Sequence, residues 1–340
     1  MAFFGKNPAN LLNFNEQENR FGEIGNFRGE AGISATIGEN YPLDWKHESV
    51  FSHFLLNREV ISLIHQIIKL WEDAFYQNPS DGGFEPTLAS YILDGPKIRG
   101  AVLICPGGGY HFTSEREAEP IALQFNAAGF HAFVVYYSVA PRRHPQPLRD
   151  VSRAMCIIRE NAGKWHVHPQ KIAVCGFSAG GHLAASLGVH WQKPYLQDVS
   201  GIQIGLNRPD ALILCYPVIT SGPYAHRGSF DNLLGANPSQ ALLDEMSLER
   251  QVTAETPPAF IWHTFDDVGV PVENSLLFAS ELRIHRVPFE LHIYPEGPHG
   301  LSLATEETDD GSMGVHPYVA TWMGLCVNWL RGINKGSVVK

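Results

Sequence analysis

The chain has 340 residues, which is enough for one large α/β domain or two ordinary ones. Hydrophobic residues make up 44% of it and charged residues 18%, a composition typical of a soluble globular protein with ample material for a core. The formal net charge of −10 argues against nucleic acid and anionic membranes as partners.

The N-terminal segment shows no targeting signal and no regular pattern. Met1–Lys6 lack a basic region followed by a long apolar run, and no apolar run approaches the length of a transmembrane helix. We therefore expect a cytoplasmic protein without a membrane partner. Residues 1–57 are rich in Asn, Gly and Glu without a sustained period, which predicts an irregular N-terminal extension.

A single folded domain is expected over residues 58–340, beginning with a helix. The apolar side chains between Val60 and Trp71 recur at helical spacing, which predicts one amphipathic helix packed on the core. Cys105, Cys175 and Cys215 each end a later apolar run, so we expect them to be reduced core residues.

Short apolar runs alternate with helical patterns along most of the chain, which predicts a doubly wound, mostly parallel sheet with helices on both faces. The predicted strands are Ser90–Leu93, Ala101–Cys105, Ala132–Tyr136, Ile172–Cys175, Ala211–Cys215, Ala259–His263 and Phe289–Ile293. The predicted helices lie near 115–128, 147–162, 178–190, 272–286 and 317–332. The stretch 216–256 is predicted to be an insertion over the carboxyl edge of the sheet.

A Gly-x-Ser-x-Gly motif at 176–180 lies between a predicted strand and a predicted helix. This context is typical of a nucleophile elbow, in which a strained turn exposes the serine and leaves no room for flanking side chains. The turn also places Ser178 at a helix N-terminus, where the helix dipole favours a developing anion. Ser178 is therefore the predicted nucleophile.

A glycine-rich loop at 106–110 follows the strand Ala101–Cys105. Its backbone can approach a ligand closely, which predicts an oxyanion hole formed by the N–H groups of Gly108, Gly109 and Ala179. A phosphate-binding loop is the alternative, but no Gly-Lys-Ser/Thr follows. Beyond the loop, Ser114 and Glu117 have the spacing of a capping box and are expected to begin the next helix.

In α/β-hydrolases the acid and the histidine base follow the serine along the chain, so we expect them on loops after later strands. His299, between Pro298 and Gly300, is the predicted base. Asp267 is the predicted acid, with Asp266 as the alternative.

The sequence points to no metal or organic cofactor. A His-x-His pair, His166 and His168, has no third ligand nearby in the sequence.

Residues from about 85 to 332 resemble α/β-hydrolase esterases of the acetylesterase and acetyl-xylan-esterase-like group. The resemblance implies removal of acetyl groups from sugar hydroxyls, often on cytoplasmic xylo-oligosaccharides, and it carries over Ser178, Asp267 and His299 as the catalytic triad. Pro106 stands where related lipase-like enzymes have His, and residues 1–57 match no recognised pattern. The matching segments are Pro106–Tyr110, Arg116–Pro120, Tyr137–Pro141, Gly176–His182, Pro271–Ser275 and His299–Leu303.

The partner is expected to be an acetylated sugar or another short-chain ester. Tyr110, His111, Trp191 and Tyr216 are candidate sugar-stacking residues, with core packing as the alternative. A generic carboxylesterase, a serine peptidase and a non-catalytic protein of the same fold remain rival functions. Residues 1–57 could form a lid, an arm of a homo-oligomer or surface packing.

Overall fold

A computed structural model describes residues 51–56, 59–72 and 84–333, and within these ranges nine strands form one sheet. The strand order is β1-β2-β3-β5-β4-β6-β7-β8-β9; β1 to β3 pair antiparallel, β3 is antiparallel to β5, and the later pairs are parallel. The strands are β1 (Phe51–Leu56), β2 (Glu59–Lys69), β3 (Thr87–Leu93), β4 (Arg99–Cys105), β5 (His131–Tyr136), β6 (Val167–Phe177), β7 (Ala211–Cys215), β8 (Ala259–Thr264) and β9 (Phe289–Tyr294).

Eight α-helices follow or connect these strands in the described part of the chain. They are α1 (Glu119–Ala127), α2 (Gln146–Glu160), α3 (Ala179–His190), α4 (Arg227–Leu234), α5 (Gln240–Glu245), α6 (Glu273–Ile284), α7 (Pro317–Ala320) and α8 (Trp322–Ile333). None of the helices in these ranges is long and apolar enough to cross a lipid bilayer.

Each face of the sheet is covered by its own apolar layer. On β4, Leu103 packs in the layer that includes α2, α3 and α6, whereas Val102 and Ile104 belong to the layer that includes α1 and α8. Because successive side chains of a strand point to opposite faces, strands buried on both faces must be almost continuously apolar. The doubly wound, mostly parallel α/β fold is therefore confirmed. All five cysteines are buried and unpaired.

The helix predicted between Val60 and Trp71 is wrong, because this segment is strand β2. It pairs with β3 in a register that places Leu63 opposite Leu93. Successive β-branched residues favour a strand where the edge of a neighbouring strand is free to pair. The spacing of the apolar residues alone does not distinguish a strand from a helix.

The sheet begins inside the segment for which irregular structure was expected. Strand β1 occupies 51–56 and pairs with β2, so this part of the predicted extension is regular. Residues 1–50 lie outside the described residues, and the boundary between extension and domain stays a prediction.

Candidate active site

Ser178 lies in the tight turn between β6 and α3, with φ 53° and ψ −118°. The turn requires its glycines, because a Cβ on Gly176 would collide with the carbonyl oxygen of Gly180, and a Cβ on Gly180 with that of Cys105. The N–H of Ser178 donates to the carbonyl oxygen of Cys215 at 3.0 Å. This hydrogen bond to the end of β7 helps to hold Ser178 in a strained backbone conformation.

The structure brings Ser178, His299 and Asp267 into one line of hydrogen bonds. Ser178 Oγ lies 2.7 Å from Nε2 of His299, and Nδ1 of His299 lies 2.6 Å from Oδ2 of Asp267. The serine follows β6, the aspartate follows β8 and the histidine follows β9, so all three lie at the carboxyl edge of the sheet. This is the order of contacts that lets a histidine take a proton from a serine while a carboxylate orients the ring.

Asp267 is surrounded by donors. Its Oδ1 accepts the N–H groups of Gly269 at 2.9 Å and Val270 at 2.8 Å, and its Oδ2 also lies 3.3 Å from Nε2 of His263. Burial by itself raises the pKa of this carboxyl, but the hydrogen bonds from His263, His299 and Val270 outweigh it and hold the pKa well below its usual range. Asp267 is therefore an ionised carboxylate at neutral pH.

Asp266, the alternative acid, points elsewhere. Its Oδ1 accepts the N–H of Gly297 at 2.7 Å, which fixes the start of the loop that carries His299. This contact favours Asp267 over Asp266 as the partner of the histidine.

His263, at the end of β8, is a member of the site that the sequence analysis did not single out. The carbonyl oxygen of Val270, 2.9 Å from Nε2, can only accept, so Nε2 carries the proton and Nδ1 accepts from Ser275 Oγ at 2.7 Å. The ring is fully buried and presents the same N–H to Asp267. The usable signal was a histidine four residues before the aspartate, inside an otherwise apolar strand.

The glycine-rich loop lies beside the nucleophile. Gly108 and Gly109 have φ values of 122° and 64°, and a Cβ on Gly107 would lie 3.1 Å from Cβ of Ser178. In the described part of the chain, the N–H groups of Gly108, Gly109 and Ala179 donate to no protein acceptor. Three unpaired donors next to a serine are what an oxyanion hole requires.

The predicted capping box does not form. Ser114 makes no side-chain cap, and the carboxylate of Glu117 is buried, with Oε2 accepting the N–H of Gly107 at 2.7 Å and Oε1 accepting the hydroxyl of Tyr216 at 2.6 Å. Burial raises the pKa of Glu117, and the bonds from Tyr216 and Gly107 oppose that rise. The N–H of Gly107, in the glycine-rich loop, thus binds the carboxylate that a capping box would use at the start of the helix.

The candidate stacking residues are mostly not available to a substrate. Tyr110 and Tyr216 are each only 2% exposed, and the Tyr110 hydroxyl is 2.9 Å from Nδ1 of His182. Trp191 follows the last residue of α3, about 20 Å along the helix from Ser178, a position that does not favour contact with a substrate at the serine. Of the four candidates, only His111 is exposed, and it directly follows the glycine-rich loop.

Phe112 is an exposed aromatic side chain that the sequence analysis missed. Its N–H donates to the carbonyl oxygen of Gly108 at 3.2 Å, and a Cβ on Gly108 would collide with the Phe112 carbonyl oxygen and lie 3.0 Å from Cδ2 of its ring. The residue is 57% exposed. It therefore presents an apolar ring directly beside one of the candidate oxyanion donors.

A second serine–histidine contact lies in the insertion between β7 and β8. Ser229 Oγ is 2.8 Å from Nδ1 of His226, which caps α4. Ser229 lies inside the first turn of that helix, and none of the hydrogen bonds of His226 within the described residues reaches a carboxylate. This pair lacks the strained turn and the acid found at Ser178.

No group of three or more His, Cys, Asp or Glu side chains within residues 59–72 and 84–333 is arranged to hold a metal ion. The hydrogen-bonded line of Ser178, His299 and Asp267 supplies a nucleophile, a base and an orienting carboxylate.

Residues 96–282 match the BD-FAE family model. Over 254 residues the chain is 42% identical to endo-1,4-beta-xylanase B from Butyrivibrio fibrisolvens, covering 72% of this chain and 39% of that protein. It is 32% identical over 237 residues to an acetylxylan esterase from Xylanibacter ruminicola, covering 68% and 46%. The chain thus spans less than half the length of these two relatives.

Among solved structures, the chain is similar to an acetyl ester-xyloside bifunctional hydrolase from Caldicellulosiruptor lactoaceticus. The TM-score is 0.72 and the identity 43%, with 79% of this chain and 96% of that chain covered.

Proposed function

Since the chain belongs to the BD-FAE family of α/β-hydrolase esterases, we propose that it is a serine esterase that removes acetyl groups from carbohydrate hydroxyls, with acetylated xylo-oligosaccharides as the substrate class. The observation that carries this proposal is the pair of hydrogen bonds from Ser178 to His299 at 2.7 Å and from His299 to Asp267 at 2.6 Å. The names of the acetylxylan esterase and the acetyl ester-xyloside hydrolase support the choice of an acetylated sugar.

The reaction proceeds in two acyl-transfer steps. Nε2 of His299 takes the hydroxyl proton as Ser178 Oγ attacks the acetyl carbonyl carbon, and the N–H groups of Gly108, Gly109 and Ala179 stabilise the oxyanion. The same Nε2–H then protonates the sugar oxygen as its bond to the carbonyl carbon breaks, which leaves an acetyl-serine.

Water completes the cycle. His299 takes a proton from the water that attacks the acetyl-serine and returns it to Ser178 Oγ as acetate leaves. The ionised Asp267 keeps the proton of His299 on Nδ1 and stabilises the imidazolium in both steps. The ester, one water molecule and the proton transfers through His299 account for all atoms of the sugar alcohol and acetate.

The acceptor sugar would contact Phe112, whose exposed ring lies beside Gly108. Aromatic rings favour the apolar face of a pyranose, and such a contact contributes only when a sugar is present.

Replacing Phe112 with alanine should therefore raise KM for acetylated xylo-oligosaccharide about threefold to tenfold and leave kcat for 4-nitrophenyl acetate nearly unchanged. Steady-state kinetics on both esters measures the difference. Ile98→Ala is the matched control, because Ile98 is 64% exposed and immediately precedes β4, at the opposite edge of the sheet. Equal changes of KM on the two esters would contradict a sugar contact at Phe112.

Rates of acetate release from acetylated xylo-oligosaccharide and from 4-nitrophenyl acetate distinguish the proposal from its rivals. We expect a higher kcat/KM for the sugar ester. Equal values would indicate a generic short-chain carboxylesterase, cleavage of dipeptide amides would indicate a peptidase, and no turnover of any of these would indicate a non-catalytic protein of this fold.

A further inference from the structure

Glu117 is a buried carboxylate that the two acyl-transfer steps do not use. It is 4% exposed and lies in the short 3-10 turn at Glu115–Glu117, between the glycine-rich loop and α1. Its Oε2 accepts the N–H of Gly107 at 2.7 Å, and Gly107 directly precedes the candidate oxyanion donors. A charge-capable side chain is rarely buried without a specific set of partners.

The second oxygen of Glu117 reaches the other side of the site through Tyr216. The Tyr216 hydroxyl donates to Oε1 at 2.6 Å and accepts the N–H of Ser302 at 2.9 Å. Its ring packs edge-on against the imidazole of His299 with 5.1 Å between ring centroids. Tyr216 itself has φ 37°, a conformation that the hydroxyl contacts help to hold.

Arg116 holds the same loop at further points. Its guanidinium donates to the carbonyl oxygens of Gly300 at 3.2 Å and Thr308 at 2.5 Å, and its own carbonyl oxygen accepts from Ser302 Oγ at 2.6 Å. The dipeptide 116–117 therefore contacts the glycine-rich loop at one end and the loop that follows His299 at the other.

We propose that Glu117 is a positioning residue. Through its contacts with Gly107 and Tyr216, it holds the glycine-rich loop and the loop that carries His299 at a fixed separation. This role rests on the proposed esterase function. An oxyanion hole stabilises charge only when its donors and the general base are both aligned on one carbonyl, and misplacement by about 1 Å costs roughly a hundredfold in rate.

The test is Glu117→Gln, which keeps the shape but leaves only one acceptor oxygen for two donors. We expect kcat for 4-nitrophenyl acetate to fall about tenfold to a hundredfold, with KM changed less than about threefold. Active-site titration with an activated phosphonate counts the competent serines, so that kcat is calculated per active site. Glu119→Gln, in the same segment but exposed, should retain wild-type kcat.

Tyr216→Phe provides a second route to the same question, because it removes the hydroxyl and keeps the ring against His299. Its loss in kcat should resemble that of Glu117→Gln, and the double variant should lose much less than the product of the two. A kcat for Glu117→Gln within about twofold of wild type, or multiplicative losses in the double variant, would overturn the positioning role.

The two proposals fail in different ways. A wild-type protein that hydrolyses no ester would overturn the esterase function and this role with it. An active wild type with an unaffected Glu117→Gln variant would overturn the role of Glu117 alone.

Discussion

Replacing Ser178 with alanine is expected to lower kcat for ester hydrolysis by roughly four to six orders of magnitude. The variant has no atom that can form the acyl-enzyme, while His299 loses its 2.7 Å partner. The residual rate would come from binding and from the oxyanion donors, which do not depend on the serine side chain. Acetate release at saturating 4-nitrophenyl acetate measures the effect.

Ser229→Ala is the matched control for this experiment. Ser229 forms the second serine–histidine contact, at 2.8 Å from His226, but it lies in a helix, and among the described residues His226 makes no hydrogen bond to a carboxylate. We expect its kcat to stay within about tenfold of wild type. A Ser178→Ala variant that kept a wild-type rate, or a greater loss in Ser229→Ala, would place the nucleophile elsewhere.

Replacing Asp267 with asparagine is expected to lower kcat about ten-thousandfold. The amide presents a donor to the histidine, so Nδ1 of His299 loses the acceptor at 2.6 Å and the ring takes the wrong tautomer for accepting the serine proton. The imidazolium that forms during the reaction also loses its counter-charge. Pre-steady-state measurement of nitrophenol release isolates the acylation step.

Asp266→Asn tests the choice between the two neighbouring carboxylates. Asp266 accepts the N–H of Gly297, so its amide can turn its own oxygen toward that donor and preserve the loop. We expect a loss in kcat of no more than about tenfold. A larger loss in Asp266→Asn than in Asp267→Asn would make Asp266 the acid.

The parts of the site that were predictable from sequence are those fixed by local backbone constraints. The turn at Ser178 requires glycine at 176 and 180 because of contacts that any strand–turn–helix unit would make. The strands next to it had to be apolar because both of their faces are covered. Sequence patterns of this kind can be recognised within a stretch of about ten residues, without knowledge of distant partners.

Features that depend on distant partners were not predictable in this way. Glu117 has helix-capping spacing, yet its acceptors are taken by Gly107 and by Tyr216, 99 positions away along the chain. Trp191 is close to Ser178 in sequence, but α3 carries it away from the site. Strand β2 shows apolar positions compatible with a helix, and its pairing with β1 and β3 decides its conformation.

Labelling with an activated alkyl phosphonate, followed by peptide mass spectrometry, tests the central claim most directly. The account predicts one phosphonyl group per chain on Ser178, loss of acetylated xylo-oligosaccharide hydrolysis in proportion to labelling, and slower labelling when that sugar ester is present. A label on another residue, or undiminished deacetylation by fully labelled protein, would contradict it.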